Sequence, residues 1–503
     1  MTLPGIALER FGVRYGATVV VSVARTGVAF LTGILVARAL GAAEYGKLYF
    51  LLGTFLAVRQ LLDGGAASAY FTLLARQPGN LRIVAVYLAW IFLQFGVTLV
   101  IVAALLPDFA LAQVWLGESR STVVVACGAS FVMLQLWGLL DSLGEARRKT
   151  VIVQGATLTQ AFVHLALVTV ASRRGWLDAR AVLWMLMAEY LVMAAFVWRL
   201  LRVGGSDSGR GEDRAVIRDF IAYCRPLVLY GWAGFAYDFT DRWMLQHFAG
   251  AAQQGFFAVG QQFSAVVLIA TTSLLKVFWQ EVAAASHEAN IARVRALYTS
   301  ATRGLYFGGA WLSCLVVPYS REILSWTVGD AYMSAWQCLA LMFVYPVHQS
   351  LGQISGIYFY ATGRTRIYSR IGIATMLGSL PITYVLLAPT TAPVPGLSLG
   401  AVGLALKLVA LQLLAVTAQT YVIAREGGWS HDLGRQAAIL AGLLAITFTS
   451  WWVSGELLGI GLVEVRPIQA VVLGVGLFVG STLLLLRARP DLAGLTAGQW
   501  AAV

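Results

Sequence analysis

The chain has 503 residues and a formal net charge of +12, yet only 12% of its residues are charged and 59% are hydrophobic. Soluble proteins carry about 25% charged residues, so this composition excludes a soluble enzyme or binding domain. Most basic residues lie in short loops between apolar stretches, which excludes a nucleic-acid-binding protein and indicates a protein with several membrane spans.

Fourteen apolar stretches predict an all-α polytopic membrane protein with about 14 transmembrane helices. In chain order the predicted spans are residues 14–37, 46–74, 82–106, 121–142, 150–172, 179–201, 222–248, 254–280, 298–318, 333–360, 367–388, 397–424, 435–456 and 467–486. Lys and Arg concentrate in alternate loops, among them the polar loop 202–221, so we expect both termini in the cytoplasm. The expected location is a cytoplasmic (inner) membrane.

The corner after the first span is repeated later in the chain. Gly41 to Lys47 recurs as Gly250 to Phe256, at an offset of 209 residues. Internal repeats are typical of transporters, whose substrate sites lie near the bilayer midplane between the repeats. The predicted organisation is an N-terminal six-helix lobe over 1–203, a cytoplasmic linker over 204–218, a C-terminal six-helix lobe over 219–425, and two additional transmembrane helices with a tail over 426–503.

The same corner has the spacing of a phosphate-binding loop. Leu48 stands where that loop needs Ser or Thr, and no strand precedes it, so we interpret the glycines as a tight turn between helices. The four Cys and five His residues are dispersed along the chain. The sequence therefore predicts no metal centre, no cofactor and no catalytic residue.

Charged residues inside the spans are the candidate substrate-binding residues: Arg25, Arg59, Asp63, Asp238, Asp241 and Arg242. A charge at the bilayer centre costs about 2.5–3.5 kcal/mol, so each needs a partner or a hydrated cavity. The i,i+4 pairs Arg59/Asp63 and Asp238/Arg242 can instead be structural ion pairs. Arg25 has no acid within one turn, so it needs an external anion or a partner from another helix, and a guanidinium group suits phosphate.

Four further polar residues are secondary candidates for lining a cavity. Gln261 and Gln262 can bind sugar hydroxyls or hold helices together. Lys276 and Arg303 can line an inner vestibule or simply follow the excess of basic residues on the cytoplasmic side.

Two segments carry a resemblance to a known family. Leu40-Gly41-Ala42-Ala43-Glu44-Tyr45-Gly46 with Asp63-Gly64-Gly65, and Asp241-Arg242-Trp243-Met244-Leu245 with the glycine corner after it, resemble bacterial oligosaccharide flippases. The resemblance spans roughly residues 10–430 and implies the multidrug/oligosaccharidyl-lipid/polysaccharide exporter superfamily. Gln253-Gln254 replaces Glu44-Tyr45 in the second copy, so that corner departs from the first.

That resemblance implies a non-enzymatic transporter that flips isoprenoid-pyrophosphate-linked oligosaccharide to the outer leaflet by alternating access. The expected product is cell-surface polysaccharide such as O-antigen, lipopolysaccharide or exopolysaccharide, and Arg25, Arg59 and Arg242 would supply the cationic cavity. Expected partners are the lipid-linked oligosaccharide and membrane lipids, with polysaccharide polymerase and glycosyltransferases as candidates. Alternatives are a cation-coupled multidrug-type exporter, an integral-membrane polysaccharide polymerase, or a structural subunit of an export assembly.

Overall fold

The computed structural model describes residues 4–201, 213–288, 290–427, 432–459 and 467–493. For residues 4–20, for Lys276 and for several other positions between 269 and 287, only the backbone is described. The chain divides into two compact units, Met1–Gly255 (unit 1) and Phe256–Val503 (unit 2). This division differs from the one predicted from the repeat, with lobes over 1–203 and 219–425, a linker between them and a C-terminal region. The predicted organisation stays a prediction.

The described part of unit 1 consists of helices joined by short turns and loops. Its helices are α1 Pro4–Asp63, α2 Ala66–Arg76, α3 Leu81–Val100, α4 Asp108–Val114, α5 Arg120–Ser130, α6 Trp137–Ala146, α7 Thr150–Arg173, α8 Ala179–Leu201, α9 Asp213–Cys224 and α10 Val228–Ala249. Two π-helical turns, Ile101–Leu105 and Phe131–Leu136, extend α3 and join α5 to α6. The core contains a stacked pair of buried rings, Tyr70 and Tyr87, whose centroids lie 4.3 Å apart.

The division between the units falls within α11, Ala251–His287. The other helices of unit 2 are α12 Ile291–Val316, α13 Ser320–Thr327, α14 Trp336–Ala361, α15 Thr365–Leu387, α16 Gly400–Gly427, α17 Leu433–Gly459 and α18 Pro467–Ala488. Short 3-10 turns flank α13 and follow α18. No strand occurs in the described residues of either unit, so the all-α fold class is confirmed.

Each of the fourteen predicted spans falls largely on helical residues, although α1 runs through the first span into the second. Nine helical stretches in the described part of the chain are long and apolar enough to cross a membrane. One of them, Val21–Asp63, covers most of the first predicted span and most of the second. Spans seven to ten fall outside these nine stretches, and spans seven, eight and nine carry several of the charged and amide side chains considered below.

The repeated corner has nearly the same backbone conformation in both copies. Gly41 has φ 73° and ψ 171°, and Gly250 has φ 88° and ψ 169°. These angles are open to glycine and strained for other residues, which confirms the interpretation of this corner as a glycine turn. A methyl group on Gly46 would collide with the carbonyl group of Ala251, and one on Gly255 would collide with that of Ala42. The two corners therefore pack against each other reciprocally.

Two predicted segments differ from the structure. The second span, expected as one helix over 46–74, is interrupted at Gly64 and Gly65, whose φ angles are 52° and 96°. The predicted loop 202–221 contains the start of α9, since that helix begins at Asp213. The polar face of α9 hid its helical period inside a hydrophilic stretch.

Candidate functional site

The candidate site of unit 1 is built on two antiparallel helices, the second half of α1 and α10. Glycines let them approach closely: the Arg242 side chain lies against Gly53, and Gly64 faces Val228. A methyl group on Gly231 would lie only 2.9 Å from the carbonyl oxygen of Gln60. The Arg242 side chain of α10 therefore lies against the backbone of α1 at short range.

Asp238 is the centre of a polar cluster on this helix pair. Arg242 Nη1 lies 3.5 Å from Asp238 Oδ1, and the two side chains are 16% and 28% exposed. The same Nη1 donates to the Asp238 carbonyl oxygen at 3.1 Å. Gln60 Nε2 donates to Asp238 Oδ2 at 2.7 Å. The predicted i,i+4 pair is confirmed, while the sequence did not identify Gln60 because it lies on another helix.

Asp241 occupies the adjoining face of α10. It is 6% exposed and takes part in interactions within the protein. A carboxylate this deep in an apolar helix requires such partners, because an isolated buried charge is costly. Whether Asp241 also meets substrate stays a prediction.

The spacing of Asp63 from Arg59 suggested an ion pair, but the Asp63 carboxylate accepts backbone N–H groups. Its Oδ2 accepts the backbone N–H of Gly65 at 3.2 Å, and its Oδ1 accepts that of Ala67 at 3.2 Å. These bonds satisfy free N–H groups at the start of α2, which follows the glycine break. Arg59 interacts with Asp63 electrostatically, but the two form no ion pair within 4.0 Å in the described structure.

Arg59 lines a small cavity of about 20 Å³ between α1, α3 and the π-helical turn Phe131–Leu136. That volume holds roughly one water molecule. Three side-chain oxygens of the lining, on Gln94, Ser130 and Gln135, have no hydrogen-bond partner among the described residues. The guanidinium group of Arg59 thus lies beside polar groups whose hydrogen-bonding capacity is unused.

Arg25 lies among helices other than its own. Its electrostatic partners are Asp141 of α6 and Tyr190 of α8. Its Nε is buried and forms no hydrogen bond to a described residue. The prediction that Arg25 needs an external anion or a partner from another helix is met in part by Asp141, although no direct ion pair within 4.0 Å forms in the described structure.

A buried polar cluster between α7 and α8 was missed by the sequence analysis. His164 Nδ1 lies 3.0 Å from Glu189 Oε1, and Gln160 Nε2 donates to Glu189 Oε2 at 3.1 Å. The Glu189 side chain is only 4% exposed. Gln160 and His164 are i,i+4 neighbours on one face of an apolar helix, and that spacing was the available signal.

The secondary candidates of unit 2 do not form one cluster among the described side chains. Gln261 and Gln262 are half-buried on α11, and the Gln261 carbonyl accepts a hydrogen bond from Ser264. Arg303 donates to Asp432 Oδ2 from Nε at 3.0 Å and from Nη2 at 2.9 Å. This ion pair joins α12 to the start of α17, so the Asp432 carboxylate neutralises the charge of Arg303. The Lys276 side chain lies outside the described residues.

The arrangement suits an anionic ligand better than a metal ion. The candidate residues of unit 1 include three guanidinium groups, of which Arg242 is paired, while those of Arg25 and Arg59 keep donors without a partner among the described residues. The described residues include no group of three or more His, Cys, Asp or Glu side chains that could hold a metal ion.

A family model described as "Polysaccharide biosynthesis protein" matches residues 15–278, more than half of the chain. No curated protein sequence matches it.

Solved structures with the same fold are distant in sequence. The lipid II flippase MurJ in an inward closed conformation superposes with a TM-score of 0.66 at 11% identity, covering 93% of this chain and 99% of that one. An inward-facing multidrug resistance MATE family transporter of the MOP superfamily gives 0.62 at 13% identity, covering 81% and 96%. A MOP superfamily transporter from Pyrococcus furiosus gives 0.54 at 13% identity, covering 84% and 95%. At these identities the likeness establishes the fold.

Proposed function

We propose, since the chain belongs to the polysaccharide biosynthesis protein family, that it flips an isoprenoid-pyrophosphate-linked oligosaccharide from the inner to the outer leaflet. The family and the MOP transporter fold make it a multi-pass membrane protein with a transporter architecture. The substrate class and alternating access are our proposal, and so is the bacterial inner membrane as its location.

The observation that carries the proposal is the state of Arg59. It lies within an apolar helix, yet its guanidinium group forms no hydrogen bond or ion pair within 4.0 Å of a described residue. Its nearest acid, Asp63, is engaged by backbone N–H groups of α2. An uncompensated intramembrane charge costs about 2.5–3.5 kcal/mol, and an anionic ligand would offset that cost.

A diphosphate group fits the chemistry of these side chains. Arg presents a planar fork of donors that binds two phosphate oxygens at once, which Lys does not reproduce. In our proposal Arg59 and Arg25 bind the diphosphate, while Arg242 contributes with Asp238 as its resident counter-ion. The isoprenoid chain remains in the hydrocarbon of the bilayer, and the sugars cross with the headgroup.

The test is a flipping assay with purified protein in vesicles that carry a fluorescent isoprenyl-pyrophosphate sugar. Arg59→Gln and Arg25→Gln should each slow the appearance of the sugar in the opposite leaflet at least tenfold. Arg38→Gln is the matched control, because Arg38 is exposed and lies on the same helix. Undiminished flipping in both candidate variants would refute the site. Efflux of cationic drugs by the wild type, without any transfer of the sugar-lipid, would favour the multidrug alternative.

A further inference from the structure

A large groove in unit 1 lies beside the candidate site and shares Asp63 with it. It has a volume of about 870 Å³ and lies between the end of α1, α3, α9 and α10. Its walls are mostly apolar and include the exposed side chains of Trp90, Leu93 and Trp232. Sites that bind small molecules have volumes of roughly 300–1,000 Å³, so the groove is large enough to hold a ligand.

Helix α9 gives the groove its position relative to the membrane. Phe220 packs into the core of unit 1, while Ile217 and Ile221 are exposed and line the groove. Arg214 and Arg218, one turn from those isoleucines, are exposed. An amphipathic helix with basic residues beside an apolar face lies at the boundary between headgroups and hydrocarbon. The groove therefore opens where lipid chains begin.

The mouth of the groove carries an arginine with free donors. Arg225 lines the groove and is exposed, and its guanidinium group forms no hydrogen bond or ion pair within 4.0 Å of a described residue. Asp63 also lines the groove, but both of its oxygens accept backbone N–H groups of Gly65 and Ala67. Together with the arginines of α9, Arg225 makes the mouth attractive to a phosphate group.

We propose that this groove binds an anionic phospholipid of the bilayer, with a hydrocarbon chain between Trp90 and Trp232 and the phosphate on Arg225. The shape, the apolar walls and the unpaired guanidinium group each match one part of such a lipid. Anionic lipids concentrate in the cytoplasmic leaflet, and the distribution of Lys and Arg predicts that α9 lies on that side. The proposed occupant is thus a resident lipid of the bilayer and not the flipped substrate.

The experiment is native mass spectrometry of the full chain from phosphatidylcholine nanodiscs that contain a small fraction of phosphatidylglycerol. The wild type should retain one phosphatidylglycerol in preference to phosphatidylcholine. Arg225→Gln should weaken that binding roughly fivefold, as expected for one basic group near a lipid surface, and Arg225→Lys should retain part of it. Ala89→Trp should abolish it, because Ala89 is exposed and lines the groove.

Ala166→Trp is the control for the groove variant, because Ala166 is an exposed alanine of α7 outside the groove. Thermal unfolding of each purified variant checks that it is folded, and Arg225→Gln alters only an exposed side chain. Equal lipid retention in wild type, Arg225→Gln and Ala89→Trp would overturn the proposal. Displacement of phosphatidylglycerol by an equimolar long-chain isoprenyl phosphate would also overturn it, because the occupant would then be the carrier lipid.

Discussion

Gln60 and Asp238 join α1 to α10 through a hydrogen bond of 2.7 Å between their side chains. Gly231 and Gly234 leave the space that this contact needs, since added methyl groups would lie 2.9 and 2.7 Å from Gln60 atoms. The bond supplies the Asp238 carboxylate with a neutral donor in addition to Arg242. Gln60 of α1 therefore helps to hold the Asp238 carboxylate of the Asp238–Arg242 ion pair in place.

Replacement of Gln60 by Leu should destabilise unit 1 by about 1–3 kcal/mol, because the buried side of the Asp238 carboxylate loses its donor. The measurement is the unfolding of the purified protein in mild detergent by a denaturing detergent. Gln113→Leu is the control, since Gln113 is exposed and only its backbone carbonyl is bonded. Equal stability of the two variants would contradict the assigned role of Gln60.

The cluster of His164 and Glu189 should be strongly coupled. His164→Leu leaves a buried carboxylate with one donor fewer, so we expect a loss of about 1.5–3 kcal/mol. The double variant with Glu189→Leu should be less destabilised than the sum of the single variants, because neither partner is then left unsatisfied. A double-mutant cycle of unfolding free energies measures this coupling, and additive losses would argue against a direct interaction.

The ion pair of Arg303 and Asp432 should contribute little to stability and nothing to transport. Its side chains are 35% and 30% exposed, and pairs at such positions contribute about 0–1 kcal/mol. Arg303→Gln should therefore flip the sugar-lipid probe at the wild-type rate when membrane levels are matched. A loss comparable to that of Arg59→Gln would restore Arg303 to the substrate path.

The glycine corner should tolerate no side chain on its packed face. Gly46→Ala and Gly255→Ala should each reduce the amount of folded protein severely, because the added methyl group meets backbone atoms that cannot move aside. Gly27→Ala is the matched control: its methyl group would meet nothing within 4 Å, and alanine is favoured over glycine in helices by about 0.5–1 kcal/mol. Monodisperse protein recovered after extraction is the quantity to compare.

The two i,i+4 pairs show how far spacing alone predicts contacts. Asp238 and Arg242 lie in an unbroken helix, so their spacing brings them together as expected. Arg59 and Asp63 have the same spacing, but the helix breaks one residue later and exposes N–H groups that Asp63 accepts. Gly64-Gly65 in the sequence indicated that the helix could break there. The backbone N–H groups that compete with Arg59 for Asp63 were evident only in the structure.

The helices themselves were predictable because apolar runs of membrane length leave few alternatives to a helix. Partners across helices were not predictable: Gln60 for Asp238, Asp141 for Arg25 and Glu189 for His164 are each distant in sequence. One sequence specifies which side chains are polar, but the packing of helices decides which polar groups meet.

The reciprocal contacts at the glycine corner have the form of a homodimer interface within one polypeptide. Ala42 meets Gly255, and Gly46 meets Ala251. Ala42 corresponds to Ala251 in the repeat and Gly46 to Gly255, each at the offset of 209 residues, so the two contacts are the same contact with the copies exchanged. Residue exchange of this kind is the signature of two-fold association between identical subunits. A side chain added at either glycine would thus disturb both copies of the corner at once, and the packed Gly and Ala positions are the ones that match between the copies.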